Sequence, residues 1–152
     1  MFENPTWKRR QTLTADEANI VDGDRADRYR YAALVDDDYG VGPGHCSGTV
    51  IAPTLVLTAA HCTVSAVGFR VTAPYAGTEG PVSSIDSHVF RWKAAFGEQD
   101  REGHDIALIE LERPIELDRY PQILDDDDAL GDRVRFIGRI DDGQLSHDDL
   151  FY

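Results

Sequence analysis

Basic charge is scarce in this sequence. Lys8 and Lys93 are its two lysines, and 15 basic residues stand against 28 acidic ones over 152 positions, a formal net charge of −13. Such a surface repels phosphate backbones, which argues against nucleic acid as a partner. The simplest reading of the acidic excess is solvated surface, and it also suits salty surroundings or cationic substrates. Long apolar runs are missing as well. No stretch of about 18 apolar residues occurs, so no membrane span and no membrane partner are expected. The first nineteen residues carry Lys8, Arg9 and Arg10 with no apolar stretch after them, which is not the form of a secretory signal peptide. Sustained helical periodicity and internal repeats are absent. Cysteine is limited to Cys46 and Cys62.

What remains describes one β-rich domain. A chain of this length buries around 70% of its unfolded surface as a single domain. Residues 1–19 read as a polar tail or pro-segment. Short runs rich in β-branched residues then alternate with turns. The expected strands are Tyr29–Val35, ended by Asp36-Asp37-Asp38-Tyr39-Gly40, then Gly48–Ala52 and Leu55–Thr58, joined as a hairpin by Pro53-Thr54. Further strands are expected at Gly68–Thr72, Val82–Phe90, Ile106–Leu111 and Val134–Ile140. In the last, Val134, Phe136 and Gly138 alternate with Arg133, Arg135 and Arg139, predicting an apolar and a polar face. Trp92–Gly103 reads as a charged loop with a short helix around Lys93–Phe96, and Asp125–Asp128 as a solvated linker. Many short strands between turns indicate an all-β sandwich or barrel.

The chemistry concentrates in Gly44–Cys62, which holds both cysteines and two of the five histidines. The cysteines could be free thiols, or a disulfide contributing roughly 3 kcal/mol if the chain is exported. His45-Cys46 and His61-Cys62 also offer two nitrogens and two sulfurs to zinc. Adjacent residues of a strand point to opposite faces, however, so His45 and Cys46 do not converge on one metal. His61 follows Thr58-Ala59-Ala60, whose small side chains let the backbone pack tightly and fix the imidazole. A histidine acting as general base needs an acceptor for its other ring N–H. Asp105, at the head of the apolar run Ile106-Ala107-Leu108-Ile109, is a candidate for that role.

Taken together these residues resemble the trypsin-like serine protease family. Leu57–Cys62 resembles its histidine motif, Cys46-Ser47-Gly48-Thr49-Val50-Ile51-Ala52 the strand before it, Asp105-Ile106-Ala107-Leu108 its aspartate motif, and Ile20-Val21-Asp22-Gly23 its mature N-terminus. His61 and Asp105 lie 44 positions apart, as the family's spacing requires, and the likeness runs from about residue 20 to 145. The resemblance implies an antiparallel Greek-key β-barrel, the first barrel plus the start of a second. It implies that His61 and Asp105 are catalytic, that Cys46 and Cys62 form a disulfide bracing the histidine loop, and that Ile20 becomes a new N-terminus once the pro-segment is cleaved. It also implies a protein or peptide substrate, no metal or organic cofactor, and an extracellular or exported location.

The family's nucleophile sits in a Gly-Asp-Ser-Gly-Gly turn that these 152 residues do not contain. Ser47, Ser65, Ser83, Ser84, Ser87 and Ser146 are not set in such a turn. Residues 20–152 are therefore expected to be a protease domain cut short before its catalytic serine, with the missing C-terminal barrel packing on this chain. That would leave an apolar interface uncovered. Gly138-Arg139-Ile140 departs from the Gly-Trp-Gly of the family's corresponding region, and Asn19 stands where a trypsin-like activator would cut after Lys or Arg. The segment from His88 to Asp105 is longer than in compact members, so Trp92 and Phe96 either border the substrate cleft, as the resemblance implies, or pack within a solvent loop. The alternative is a non-catalytic, protease-like binding or regulatory module.

Overall fold

The computed structural model describes residues 20–38, 40, 42–63, 65–77, 80–90, 105–123 and 135–152. The expected tail at 1–19, the helix near Lys93–Phe96, the loop holding Trp92, and the acidic run Asp125–Asp128 lie outside them.

Six antiparallel strands close into a barrel. They are β1 (Ala32–Asp38), β2 (Pro43–Ala52), β3 (Leu55–Thr58), β4 (Gly68–Thr72), β5 (Val82–Phe90) and β6 (Ile106–Leu111), in the order β1-β2-β3-β6-β5-β4. Closure comes from β4 returning to β1, with Val35 opposite Val71. This crossing of sequence neighbours is a Greek-key path, and the all-β barrel expected from the sequence is present. Alternation sets the interior. Along β6, Ala107, Ile109 and Leu111 are buried, and Ile109 and Leu111 join Val35, Val50, Val56, Val71 and Val82 in the core. At Gly48 on β2 the strands pack closely, since a Cβ there would lie 2.9 Å from Val56 Cγ1 and 3.0 Å from Val35 Cγ2.

β1 is buried on both faces, which is why its sequence reads as a continuous apolar run rather than an alternation. Ala33 and Val35 face the barrel interior. Ala32 and Leu34 face outward into a second cluster with Ala26 and Leu150, flanked by Tyr29, Tyr75, Ile137 and Tyr152. The strand also starts and ends three residues later than expected, because Asp36–Asp38 continue it instead of terminating it. Ladder pairing of Asp36 with His45 and of Asp38 with Pro43 carries β2 back to Pro43 as well. Pro43 is tolerated as the first residue of its strand.

The described part of the expected strand Val134–Ile140 does not form one strand: residues 135–137 have no regular pairing, and Gly138 makes a single bridge to Phe151. Regular structure begins at β7 (Ile140–Asp141), paired with β8 (Gln144–Leu145) through an Asp142-Gly143 turn with both φ angles positive, 47° and 76°. Two residues also depart from the expected polar and apolar faces, while Arg135 is exposed as expected. Arg139 is 3% exposed and Phe136 78% exposed. Arg139 is drawn inward by acceptors its alternation does not reveal: Nε donates to the Ser146 carbonyl, and Nη1 to Asp36 Oδ1 at 2.9 Å and the Cys46 carbonyl at 3.2 Å. Residues 138–152 fold back on the start of the described chain, where Ala26 N–H donates to the Leu150 carbonyl and Tyr152 N–H to that of Asp24. Among the described residues no helix is long and apolar enough to cross a membrane.

Candidate functional site

The site begins where β3 ends. Thr58 anchors the strand by donating its hydroxyl to the Ser47 carbonyl at 3.0 Å. Ala59 is still extended, and Ala60–Cys62 then make one 3-10 turn. Ala60 is fully buried, so the turn sits hard against the barrel, with no room there for a larger side chain. Thr63 closes the turn, donating both its N–H and its hydroxyl to the Ala60 carbonyl. The Cys46–Cys62 disulfide ties the turn to β2, with Cα atoms 6.3 Å apart.

The β3–β6 register sets the other half of the site. Thr58 lies opposite Ala107, so Asp105, just ahead of β6, comes level with the His61 turn. Its two oxygens take two different N–H groups of one residue. Oδ1 accepts the His61 backbone N–H at 2.8 Å, and Oδ2 lies 2.7 Å from His61 Nδ1. Burial pushes the Asp105 carboxyl up, but the His61 backbone N–H, the His61 ring and the Ala60 N–H outweigh it and hold the group below the usual carboxylate range. An ionised Asp105 is acceptor-only, so the proton on this bond belongs to Nδ1 and the neutral ring carries its lone pair on Nε2. The His61 side chain is 48% exposed against 23% for Asp105. The carboxylate is thus the sheltered partner and the imidazole the one presented outward.

The sulfur and nitrogen atoms of Cys46, His61 and Cys62 crowd within 4.8 Å, but the two sulfurs are bonded to each other and have no thiolate for a metal. His45 faces away from Cys46, as strand geometry requires. Its Nδ1 lies 3.0 Å from Asp36 Oδ1, and its ring meets that of His147 edge-on at 4.9 Å. The four-ligand zinc set is therefore not assembled. Ile20 is also placed elsewhere, against β7, where its N–H donates to the Ile140 carbonyl and its carbonyl accepts the Asp142 N–H. The carboxylates of Asp142 and Asp141 accept the N–H groups of Asp22 and Gly23. Two of the serines have other work, since the hydroxyls of Ser84 and Ser146 accept backbone N–H groups.

Sequence reasoning missed the Asp36–His45–Arg139 cluster. Asp36 accepts from both side chains, and its carboxyl, raised by burial, is brought below its ordinary range by His45 and Arg139. The one available signal was Gly138-Arg139-Ile140, where a cation replaces an aromatic residue. A cleft of about 720 Å³ opens beside this cluster, lined by Asp36–Asp38, Phe69, Arg70 and Ser84, and its lining includes neither His61 nor Asp105.

A family model described as Trypsin matches residues 20–143. Human chymotrypsin-like elastase family member 1 is 32% identical over 124 residues, covering 74% of this chain and 46% of that protein. The chain thus spans about half the length of this curated relative. Among solved structures, HL collagenase is 27% identical with a TM-score of 0.50, covering 62% of this chain and 42% of its own. A structure of GrC is 20% identical with a TM-score of 0.57 over 87% of this chain and 63% of its own, and shows the same fold.

Proposed function

The chain belongs to the trypsin family of serine proteases, and from that premise we propose that it contributes two triad members, His61 and Asp105, to a serine-type endopeptidase. Protein or peptide substrates follow from the family. The observation that carries this reading is the two-point grip of Asp105 on His61, one oxygen on the backbone N–H and one on Nδ1. A carboxylate that only ended a loop would need neither bond.

In this reading the two residues divide the labour. Asp105 fixes the ring and its tautomer and stabilises the imidazolium. Nε2 accepts the proton of an attacking serine hydroxyl and later delivers it to the leaving amine. Covalent acyl transfer to serine and hydrolysis of the acyl-enzyme complete the cycle. The serine, its oxyanion donors and the specificity pocket are assigned to a second barrel outside these 152 residues, which packs beside the first. Ile20 is assigned as the mature N-terminus, released by cleavage after Asn19. A Cys46–Cys62 disulfide persists in oxidising surroundings, which supports an extracellular or exported location.

The test joins chemistry to sequence. The 152-residue chain, and the same chain extended by whatever coding sequence follows Tyr152, are exposed to a fluorophosphonate probe and a mixed peptide library. The extended protein is expected to be labelled and to cleave, and His61→Ala is expected to abolish both. Full labelling in the His61→Ala protein would remove His61 from the mechanism. A stop codon directly after Tyr152, with a stable and unlabelled chain, would leave the binding-module reading in its place.

A further inference from the structure

One covalent bond keeps Cys46, His61 and Cys62 from binding metal. A ring nitrogen of His61 and the two sulfurs lie within 4.8 Å of one another, and the disulfide leaves no thiolate among them. A tetrahedral zinc, with bonds of about 2.3 Å to sulfur and 2.0 Å to nitrogen, keeps its ligand atoms about 3.5–3.8 Å apart. The Cα atoms of Cys46 and Cys62 stand 6.3 Å apart, so sulfurs released from each other reach that separation by side-chain rotation. Other bonds besides the disulfide hold the frame. Cys46 is set in the ladder opposite Val35, Thr63 closes the turn on the Ala60 carbonyl, and Asp105 holds the His61 backbone N–H. A second feature points to a metal independently. A metal-bound imidazole almost always donates its other ring N–H to a carboxylate, a carbonyl or water, which orients it. Asp105 Oδ2 already takes the Nδ1 proton of His61 at 2.7 Å, which leaves the lone pair on Nε2.

We propose that reduction of the Cys46–Cys62 disulfide turns this corner into a zinc site, with Cys46 Sγ, Cys62 Sγ and His61 Nε2 as ligands and Asp105 behind the imidazole. A two-electron reductant, a dithiol or a phosphine, supplies the electron pair that cleaves the S–S bond. Both sulfurs become thiols. Their protons come from the dithiol, which leaves as its own disulfide, or from the water that turns the phosphine into its oxide. Zinc then displaces one proton from each thiol. Two thiolates and one imidazole are a donor set for zinc and not for magnesium or calcium. Three protein ligands leave the fourth position to water. Cys62 is buried, so the metal enters past the half-buried Cys46 and the half-exposed His61. His45 takes no part, since its ring turns to Asp36. The site stands on this geometry alone. Its consequence, that zinc on Nε2 takes the base out of action, rests on the proposed protease role of His61.

The test uses the whole 152-residue chain, oxidised or reduced anaerobically with a phosphine, and titrates it with cobalt(II) as a visible reporter and then with zinc. The reduced chain is expected to take one cobalt, with a thiolate charge-transfer band and the d–d bands of a tetrahedral ion, and zinc to displace it. The oxidised chain is expected to show neither. Asp105→Ala is expected to weaken zinc about 10–100-fold, the scale of losing the group that orients a ligand. His61→Ala is expected to weaken it further, and His45→Ala to leave it unchanged. Near-ultraviolet circular dichroism follows the fold in parallel, so a reduced chain that loosens and is restored by one zinc also supports the site. The proposal is overturned by a reduced chain with no thiolate–cobalt band, by equal binding to the oxidised chain, or by affinity unchanged in His61→Ala or Asp105→Ala. Affinity lost in His45→Ala, or zinc held by a chain that stays unfolded, would overturn it as well. None of these outcomes bears on the proposed protease role, which labelling of the extended protein tests.

Discussion

Asp105 grips His61 at two points. It holds the backbone of the turn as well as the ring, so its loss is felt in folding. Asp105→Ala is expected to lower stability by about 1 kcal/mol, modest because His61 is half exposed and water replaces part of the lost bonding. In the same variant the His61 ring loses its fixed tautomer, which ¹⁵N chemical shifts of the imidazole would register; an unchanged Nδ1 signal would contradict the geometry. Asp105 and Asp36 share a pH signature. Both have folded-state pKa values below the unfolded value, so each contributes stability that is fully present above about pH 4 and lost as pH falls through its folded pKa. Urea midpoints measured from pH 6 to pH 2.5 should fall steeply at the acid end, and Asp36→Asn should flatten the slope. At this scale two pairings were legible because the family motifs are strong, that of His61 with Asp105 and that of Cys46 with Cys62. The sequence was silent on Arg139, two of whose acceptors, Asp36 and the Cys46 carbonyl, lie about 100 positions earlier, on β1 and β2.

At the level of elements, legibility followed burial. β3, β4, β5 and β6 could be placed from their residues because β-branched runs between turns mark themselves. β1 was misplaced at both ends because it is buried on two faces and finishes in three aspartates, a composition that reads as a turn until its cross-strand partners are known. The strand expected at Val134–Ile140 failed for a related reason. Its alternation was real, but Arg139 found a half-buried carboxylate while Phe136 found none of the core. Replacing Arg139 by Ala would leave Asp36 partly buried with only His45, and is expected to destabilise the protein by about 3 kcal/mol. Hydrogen exchange should then rise first in residues 138–152, the segment the guanidinium pins to β1 and β2; protection that stays unchanged there would show that the segment is held by its other contacts. Gly48→Ala tests the barrel instead. A methyl group 2.9 Å from Val56 and 3.1 Å from the Leu57 carbonyl must push β3 outward, with an expected cost of about 1–3 kcal/mol in chemical denaturation.

For the whole molecule the dominant number is the charge of −13. Self-repulsion of that size opposes compaction, and added salt screens it over about 10 Å at 0.1 M. The thermal midpoint is therefore expected to rise by several degrees between about 0.02 M and 0.5 M sodium chloride, and a flat response would show that the acidic groups are already locally compensated.

The disulfide has a consequence for connectivity. Cys46 and Cys62 turn β2, the Pro53-Thr54 turn and β3 into a covalent ring. A peptide bond hydrolysed at that turn would open the backbone without releasing anything. The protein would gain the mass of one water, remain a single molecule on a non-reducing gel, and part into two fragments only when reduced. The half that carries His61 would stay tethered to the half that carries β1 and β2.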